Sequence, residues 1–397
     1  MKTKSIEMIL EKLLQQAREN DYRGIDPNDY AGAKLRVPGK LAPKISFLNK
    51  VSPINFRSLL GIGPSENSKS NALFLHAMAN YDHVRYEQEI NKLIAWFKAN
   101  KSNEFTDFSV GFAFEMTLSR YSSGPGKTSL IISLFTMYAF LASYRKRQDP
   151  ELLHMILSFE NILHTQWMKF ESETECWYSY LPHQKDEVYN ATAKVGRFYA
   201  ELYAIQPEER YKTTIAKILA YLGKVQREDG TWGYSVKAGY SDNFHTAFVL
   251  ESIFLMNKVA GNEASETMFS KGMDTYKTHC FDGPRALHFH TQHKPTDIRS
   301  NIFFTETRDT ANAIILFSKT GELEKAKEVL QWTIQRFYDS EKGYFHFFEN
   351  KVFRSRIKYI RWQSWMALAI SEYLLASAER MVLLSPEQVH HTNKMAV

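Results

Sequence analysis

The feature that most constrains this chain is an internal repeat. Trp177-Tyr178-Ser179-Tyr180, Trp232-Gly233-Tyr234, His288-Phe289-His290 and Tyr344-Phe345-His346-Phe347 recur at intervals of 55 to 57 residues. Gly111-Phe112-Ala113-Phe114 is a fifth copy at a longer interval. A repeat of this kind signals stacked supersecondary units. Each aromatic cluster follows one segment of helical hydrophobic period and precedes another. The period predicts helices at 3–18 and 67–80, 85–99 and 127–146, 150–168 and 188–204, 208–226 and 242–258, 264–278 and 302–319, and 322–338 and 361–380. A unit of two helices cannot bury its own apolar face; stacked units can, and closing them into a ring removes the exposed ends. The predicted fold is therefore all-α: an (α/α)6 toroid of six helical hairpins, one domain over 1–384, followed by a polar, poorly ordered tail at 385–397.

The second helix of each pair is usually the more apolar, as in LIISLFTMYAFLA, FHTAFVLESIFLM and SWMALAISEYLL. These belong on the inner wall. More charged first helices such as GELEKAKEVLQWTIQRF belong outside. Each long aromatic loop then feeds the N-terminus of an inner helix, and all of these loops lie at one end of the ring. Helix N-termini carry partial positive charge, so that end favours anionic groups.

Composition narrows the classes further. The chain has 44% hydrophobic and 14% aromatic residues, enough for a large core. No Pro/Gly/Ser-rich linker divides it. The N-terminal stretch is amphipathic, with Ile6, Ile9, Leu10, Leu13 and Leu14 on one face, and does not read as a signal peptide. No apolar run is long enough to span a bilayer. Cys176 and Cys280 are the only cysteines, which gives no disulfide framework and points to the reducing cytoplasm. The net charge of +6 is modest and comes with no recognised nucleic-acid module.

Several motifs need weighing. Gly124-Pro125-Gly126-Lys127-Thr128 resembles part of a P-loop, but that motif needs glycine where Tyr121 stands and a preceding strand; the sequence suggests neither. His279, Cys280, His288, His290 and His293 invite a metal, yet no helix-borne His-x-x-x-His and no Cys-x-x-Cys occurs. No metal or other cofactor is expected. Asp-rich terpene-cyclase motifs are absent. Asp242-Asn243-Phe244-His245-Thr246 is the most promising cluster, because it opens an inner helix at the expected mouth. A histidine oriented by a carboxylate moves protons near neutral pH. Asp242 as a plain helix cap and His245 as a packed core residue is the competing reading. Tyr189 and Asn190 open another inner helix, and Arg361 opens the last, where a guanidinium suits a carboxylate or phosphate.

Residues 222–234, LGKVQREDGTWGY, resemble the QW motif of squalene–hopene cyclases and related toroids, which ties a helix end to its following turn. Tyr22-Arg23-Gly24-Ile25-Asp26-Pro27, Ser52-Pro53-Ile54-Asn55-Phe56-Arg57, Asp242-Asn243-Phe244-His245-Thr246 and Tyr359-Ile360-Arg361-Trp362 resemble the landmarks of a little-characterised group of bacterial toroid proteins from surface-polysaccharide gene clusters, distantly similar to six-hairpin glycosidases. The resemblance implies the toroid fold, a saccharide substrate and polysaccharide-assembly proteins as partners. It implies no single reaction. The chain lacks the group's usual tryptophan after 111–115. It also carries extra residues after Asp297-Ile298-Arg299-Ser300, which leaves Asp297 and Asp309 as rivals for one acidic position.

Two chemistries suit such a ring. Glycoside hydrolysis needs two facing carboxyl groups, with Glu115, Asp242, Asp297 and Asp309 as candidates and Asp26 and Asp29 as outsiders. Lyase or epimerase chemistry needs a base beside cationic and amide groups that stabilise an enolate-like charge. The sequence fits the second slightly better: His245, Asp242 and Tyr189 as catalytic residues, with Asn190, Asn243, Tyr234, Trp232, Arg361, Glu115, Asp297 and Asp309 around the substrate. A non-catalytic ring that binds glycans or proteins is the third reading.

Overall fold

The computed structural model describes residues 3–35, 41–117 and 122–383; the expected tail at 385–397 lies outside them. Fourteen α-helices are present among the described residues. In chain order they are α1 (Thr3–Glu19), α2 (Ala42–Val51), α3 (Ser68–Asp82), α4 (Glu87–Ala99), α5 (Leu130–Arg147), α6 (Pro150–Ile162), α7 (Tyr189–Tyr203), α8 (Glu209–Val225), α9 (Asn243–Ala260), α10 (Glu263–His279), α11 (Arg299–Ile302), α12 (Thr307–Lys319), α13 (Leu323–Phe337) and α14 (Ile360–Leu383). Helices α3, α5, α7, α9, α12 and α14 pack each against the next, and α14 returns to α3. These six form the closed inner wall of an (α/α)6 toroid, and α1, α4, α6, α8, α10 and α13 form the outer layer.

Burial explains the two layers. In α5 every residue from Leu130 to Ser143 is buried, as is every residue of α3 from Ser68 to Ala79. Such helices touch neighbours on every side; α5 is apolar or small almost all round, whereas α3 also buries Lys69, Asn71 and His76. Outer helix α8 buries only one stripe, Tyr211, Ile215, Ile218, Leu219, Tyr221 and Leu222. The helix starts are written in the sequence. Asn67 caps α3 by accepting from the Ser70 amide, and Asp149 followed by Pro150 opens α6. Asn262 and Ser265 cap α10 reciprocally.

Three features differ from the sequence expectation. The aromatic loops contain short antiparallel ladders, such as Met168–Glu171 with Cys176–Tyr178, Phe281–Asp282 with Arg285–Ala286, and Tyr338–Asp339 with Tyr344–Phe345. They are too short to show an alternating pattern. One such strand, Ser122–Ser123, does precede the Gly124–Thr128 turn, but among the described residues it pairs with Met116–Thr117 alone. Helix α12 starts at Thr307 rather than at 302, because the extra residues there form α11 and the strand Thr305–Glu306. Helix α2 belongs to an excursion over 25–64 that has its own small core of Tyr30, Ala33 and Ile62.

The QW-like segment works as a tie. Trp232 Nε1 donates to the Leu222 carbonyl (3.0 Å), and Gln226 Nε2 donates to the carbonyls of Gly230 and Met268 (both 3.0 Å). At the fifth repeat copy, Gly111 lies so close to the segment entering α5 that an added Cβ would sit 1.5 Å from the Lys127 carbonyl oxygen. Gly111→Ala must push backbone against backbone. We expect it to cost about 1–3 kcal/mol of stability, read as a lower urea midpoint with unchanged cooperativity.

Candidate active site at the ring mouth

The starts of α9, α12 and α14 bring the charged groups together. Asp242 is the N-cap of α9, and its Oδ1 accepts from the His245 amide (2.7 Å). The same carboxylate meets His245 Nδ1 at 2.7 Å through Oδ2. Burial alone would raise the Asp242 pKa, but the His245 imidazole, its hydrogen bond and nearby His288 outweigh that and hold it at about 2. With Nδ1 committed to Asp242, the His245 Nε2 is the nitrogen left for proton exchange. The His245 side chain is 26% exposed. Tyr234 meets its ring edge-on with centroids 4.8 Å apart, and Tyr234 stacks on Tyr240.

A second His–carboxylate pair lies beside the first. His288 Nδ1 meets Asp309 Oδ2 at 2.7 Å, and Asp309 is wholly buried. Burial pulls the His288 pKa down, but Asp309 and Glu306 outweigh it and the net shift is upward. Burial also pushes the Asp309 carboxyl up against the pull of His288, so the pair holds on to one proton. Glu306 caps α12 reciprocally with Asp309, and its Oε2 pairs with Arg308 Nε at 2.6 Å. Single ligand atoms of His288, Glu306 and Asp309 lie within 4.8 Å of one another, close enough to share an ion. Arg308 and His288 offset their charge, while Glu306 Oε1 and Oε2 and Asp309 Oδ1 are buried without a hydrogen-bond partner.

Arg308 and Arg361 frame the mouth. The Arg308 guanidinium lies over Phe244 (4.5 Å) and Trp362 (5.8 Å), and Arg361 over Trp362 (5.3 Å). Arg361 pairs with Asp26 at 2.5 Å, and Asp26 also accepts from Asn67 Nδ2 (2.8 Å). The excursion is thereby pinned across the mouth. Arg57 pairs with Asp29 (2.8 Å), and Lys50 lies over Phe303 (5.0 Å). Burial, only partly opposed by Glu306, lowers the Lys50 pKa to about 8.

The floor beneath is aromatic. Phe135 of α5, Phe244 and Phe248 of α9 and Trp365 of α14 meet with centroids 4.5–5.9 Å apart. These three helices are alternate members of the inner ring, so their side chains meet across its centre. Lys69 of α3 and Lys194 of α7 both lie over the Phe135 ring, at 4.4 and 4.3 Å. Burial holds both ammonium pKa values well below the ordinary range. Below the floor sits a charged layer of Arg197, Glu201, Glu251, His76, Lys319 and Glu372.

His76 in that layer gives a pH prediction. Burial, only partly opposed by Glu372, lowers its pKa from 6.5 to about 4. The folded protein therefore prefers neutral His76. Its contribution is fully present above pH ~6.5 and is lost as pH falls towards ~4, up to ~3 kcal/mol. Melting temperatures of His76→Gln should fall less steeply between pH 7 and 4.5 than those of the unaltered chain; identical slopes would contradict this.

The other predicted residues are spread around the ring. Tyr189 is half-buried against Tyr221, and Asn190 is buried in the first turn of α7. Asn243 is fully enclosed, donating to the Cys280 carbonyl (3.0 Å) and accepting from Tyr276 (2.8 Å). Trp232 is buried in its tie to α8. Glu115 is exposed. Asp297 is exposed and paired with Arg299 (2.7 Å). His279, His290 and His293 stack in a row, with centroids 4.8 and 5.0 Å apart, and His293 pairs with Asp229. The sequence reading did not single out Arg308, Glu306 or Lys69 for the site. The signal available was their position in the first turn, or at the cap, of inner helices.

No family model matches the chain, and no curated protein is similar to it in sequence. Its fold is shared with solved structures. Cellobiose 2-epimerase from Bacillus thermoamylovorans B4167 is 13% identical, with a TM-score of 0.58 over 77% of this chain and 88% of that one. An inactive variant of the alpha-1,6-mannanase of Salegentibacter sp. is 12% identical, with a TM-score of 0.57 over 79% and 91%. A glycosyl hydrolase family 88 protein from Bacteroides vulgatus is 10% identical, with a TM-score of 0.56 over 94% and 99%. At these identities the likeness is one of fold: the chain is a six-hairpin toroid of the architecture these proteins have.

Proposed function

We propose that this chain is a carbohydrate-active enzyme whose reaction takes place at the ring mouth. The names of the similar structures, sugar epimerases and glycoside hydrolases, support a saccharide substrate. Within that class, the geometry favours proton transfer by His245 at a sugar carbon whose acidity comes from a neighbouring carbonyl or carboxylate. One observation carries this reading. The groups that reach solvent are His245, Arg308 and Arg361, with side chains 26%, 22% and 13% exposed, while Asp26, Asp242, Glu306 and Asp309 lie buried behind partners. Asp242 orients the imidazole, and the two guanidiniums offset negative charge that develops on oxygen. The same cations suit a uronate carboxylate.

Glycoside hydrolysis is the second reading, and the comparisons weigh towards it more than towards a lyase. Four of the similar structures carry hydrolase, mannanase or amylase names. It requires a carboxyl pair about 5–10 Å apart on either side of the glycosidic bond. Glu306 and Asp309 are closer together than that and both fully buried, so hydrolysis would have to recruit Asp242 and a carboxyl group from outside the cluster. Mass spectrometry of oligosaccharides incubated with the protein in deuterated water separates the readings. Deuterium uptake without cleavage is the expected result, an unsaturated end indicates a lyase, and chain shortening without carbon-bound deuterium would overturn proton abstraction.

A further inference from the structure

From residue 30 to residue 65 the chain has six basic residues, Lys34, Arg36, Lys40, Lys44, Lys50 and Arg57, and no acidic one. The whole chain carries +6, so the remainder is balanced and the basic excess is concentrated here. The described residues of the segment have two faces. The inner face holds them to the ring through Lys50, which lies over Phe303, and Phe47, which meets Phe303 edge-on (6.4 Å), while Arg57 pairs with Asp29 inside the excursion. Its outer face carries large apolar side chains in water. Leu35 is 65% exposed, Leu48 62%, Ile54 60% and Leu59 72%, with Leu41 and Phe56 also exposed. Lys34 and Lys44 are exposed beside them. The amides of Lys34 and Leu35 both donate to the Leu60 carbonyl, which sets Leu35 next to the Ile54–Leu59 turn.

We propose that this face docks the protein on an anionic lipid bilayer. Apolar side chains set among lysines, in a stretch without an acidic residue from 30 to 65, match the headgroup boundary of such a membrane. The chains enter the interface and the ammonium groups meet lipid phosphates. A water-soluble polyanion leaves the apolar groups unsatisfied. A second copy of the same face sets like charges against each other, which costs association energy. No helix among the described residues is long and apolar enough to cross a membrane, so the contact is peripheral. The proposal does not depend on the reaction at the mouth.

The test is co-sedimentation of the full chain with vesicles of phosphatidylglycerol and phosphatidylcholine, with pure phosphatidylcholine vesicles and soluble polyphosphate as comparisons. Binding to the mixed vesicles is expected to be at least about tenfold stronger than to the neutral ones and to weaken with salt. The double variant Ile54→Glu, Leu59→Glu changes two exposed positions, and circular dichroism checks that it folds. It should lose about tenfold or more of the vesicle binding. Lys34→Glu with Lys44→Glu should do the same. Equal binding to neutral vesicles, retained binding in both variants, or polyphosphate binding without vesicle binding would each overturn the proposal. So would a dimer in sedimentation velocity that Ile54→Glu, Leu59→Glu dissolves while vesicles go unbound.

Discussion

His245→Ala is expected to fold like the unaltered chain and to lose about 10²–10⁴-fold in turnover of its saccharide, the range a positioned acid–base group contributes. The fold should survive because the His245 side chain is partly exposed and the cap of α9 relies on its backbone amide rather than its ring. Deuterium exchange into the sugar should fall in parallel with turnover. Asp242→Asn is the informative companion. It can still cap the helix, but it no longer stabilises an imidazolium. A lowered kcat at unchanged KM would mark Asp242 as a positioning residue. Turnover unchanged in His245→Ala would remove His245 from the chemistry.

The toroid was legible because two periods coincide in the sequence. The helical period locates α8 and α9, and the aromatic clusters count the hairpins. The 3.6-residue pattern survives wherever a helix packs on one or on all sides. It says nothing about α2, whose side chains partition between a small local core and solvent. Asp242 and His245 were legible because they sit three residues apart in one helical turn. The His288–Asp309 pair was not, since its members are 21 residues apart and meet only when α12 is set beside the loop after α10. Arg361 stood out in the sequence, yet its partner Asp26 is 335 residues away and is brought to it only by ring closure. Asn243 looked like part of the site, and only tertiary packing shows its amide enclosed by Cys280 and Tyr276.

Arg197→Met should be the most destabilising single change below the floor, costing about 3–5 kcal/mol. The Arg197 guanidinium is buried, pairs with Glu201 and Glu251 at 2.7 Å each, and lies 4.0 Å over the Tyr138 ring. Without it, two buried carboxylates face each other with Arg145, 3.3 Å from Glu201, as the closest remaining cation. The denaturation midpoint should drop sharply. Adding Glu251→Met to Arg197→Met should recover part of the loss, because removing a whole buried pair costs less than stranding one member. No recovery in the double variant would mean that Arg197 acts through its stacking on Tyr138 instead.

The aromatic floor also bears on traffic. Side chains from alternate inner helices close the bore, so the ring is a cul-de-sac and not a tunnel. A polysaccharide cannot be threaded through it and handed out on the far side. On the proposed reading, a sugar reaches His245 and its product leaves by the same opening, so entry and exit share one route.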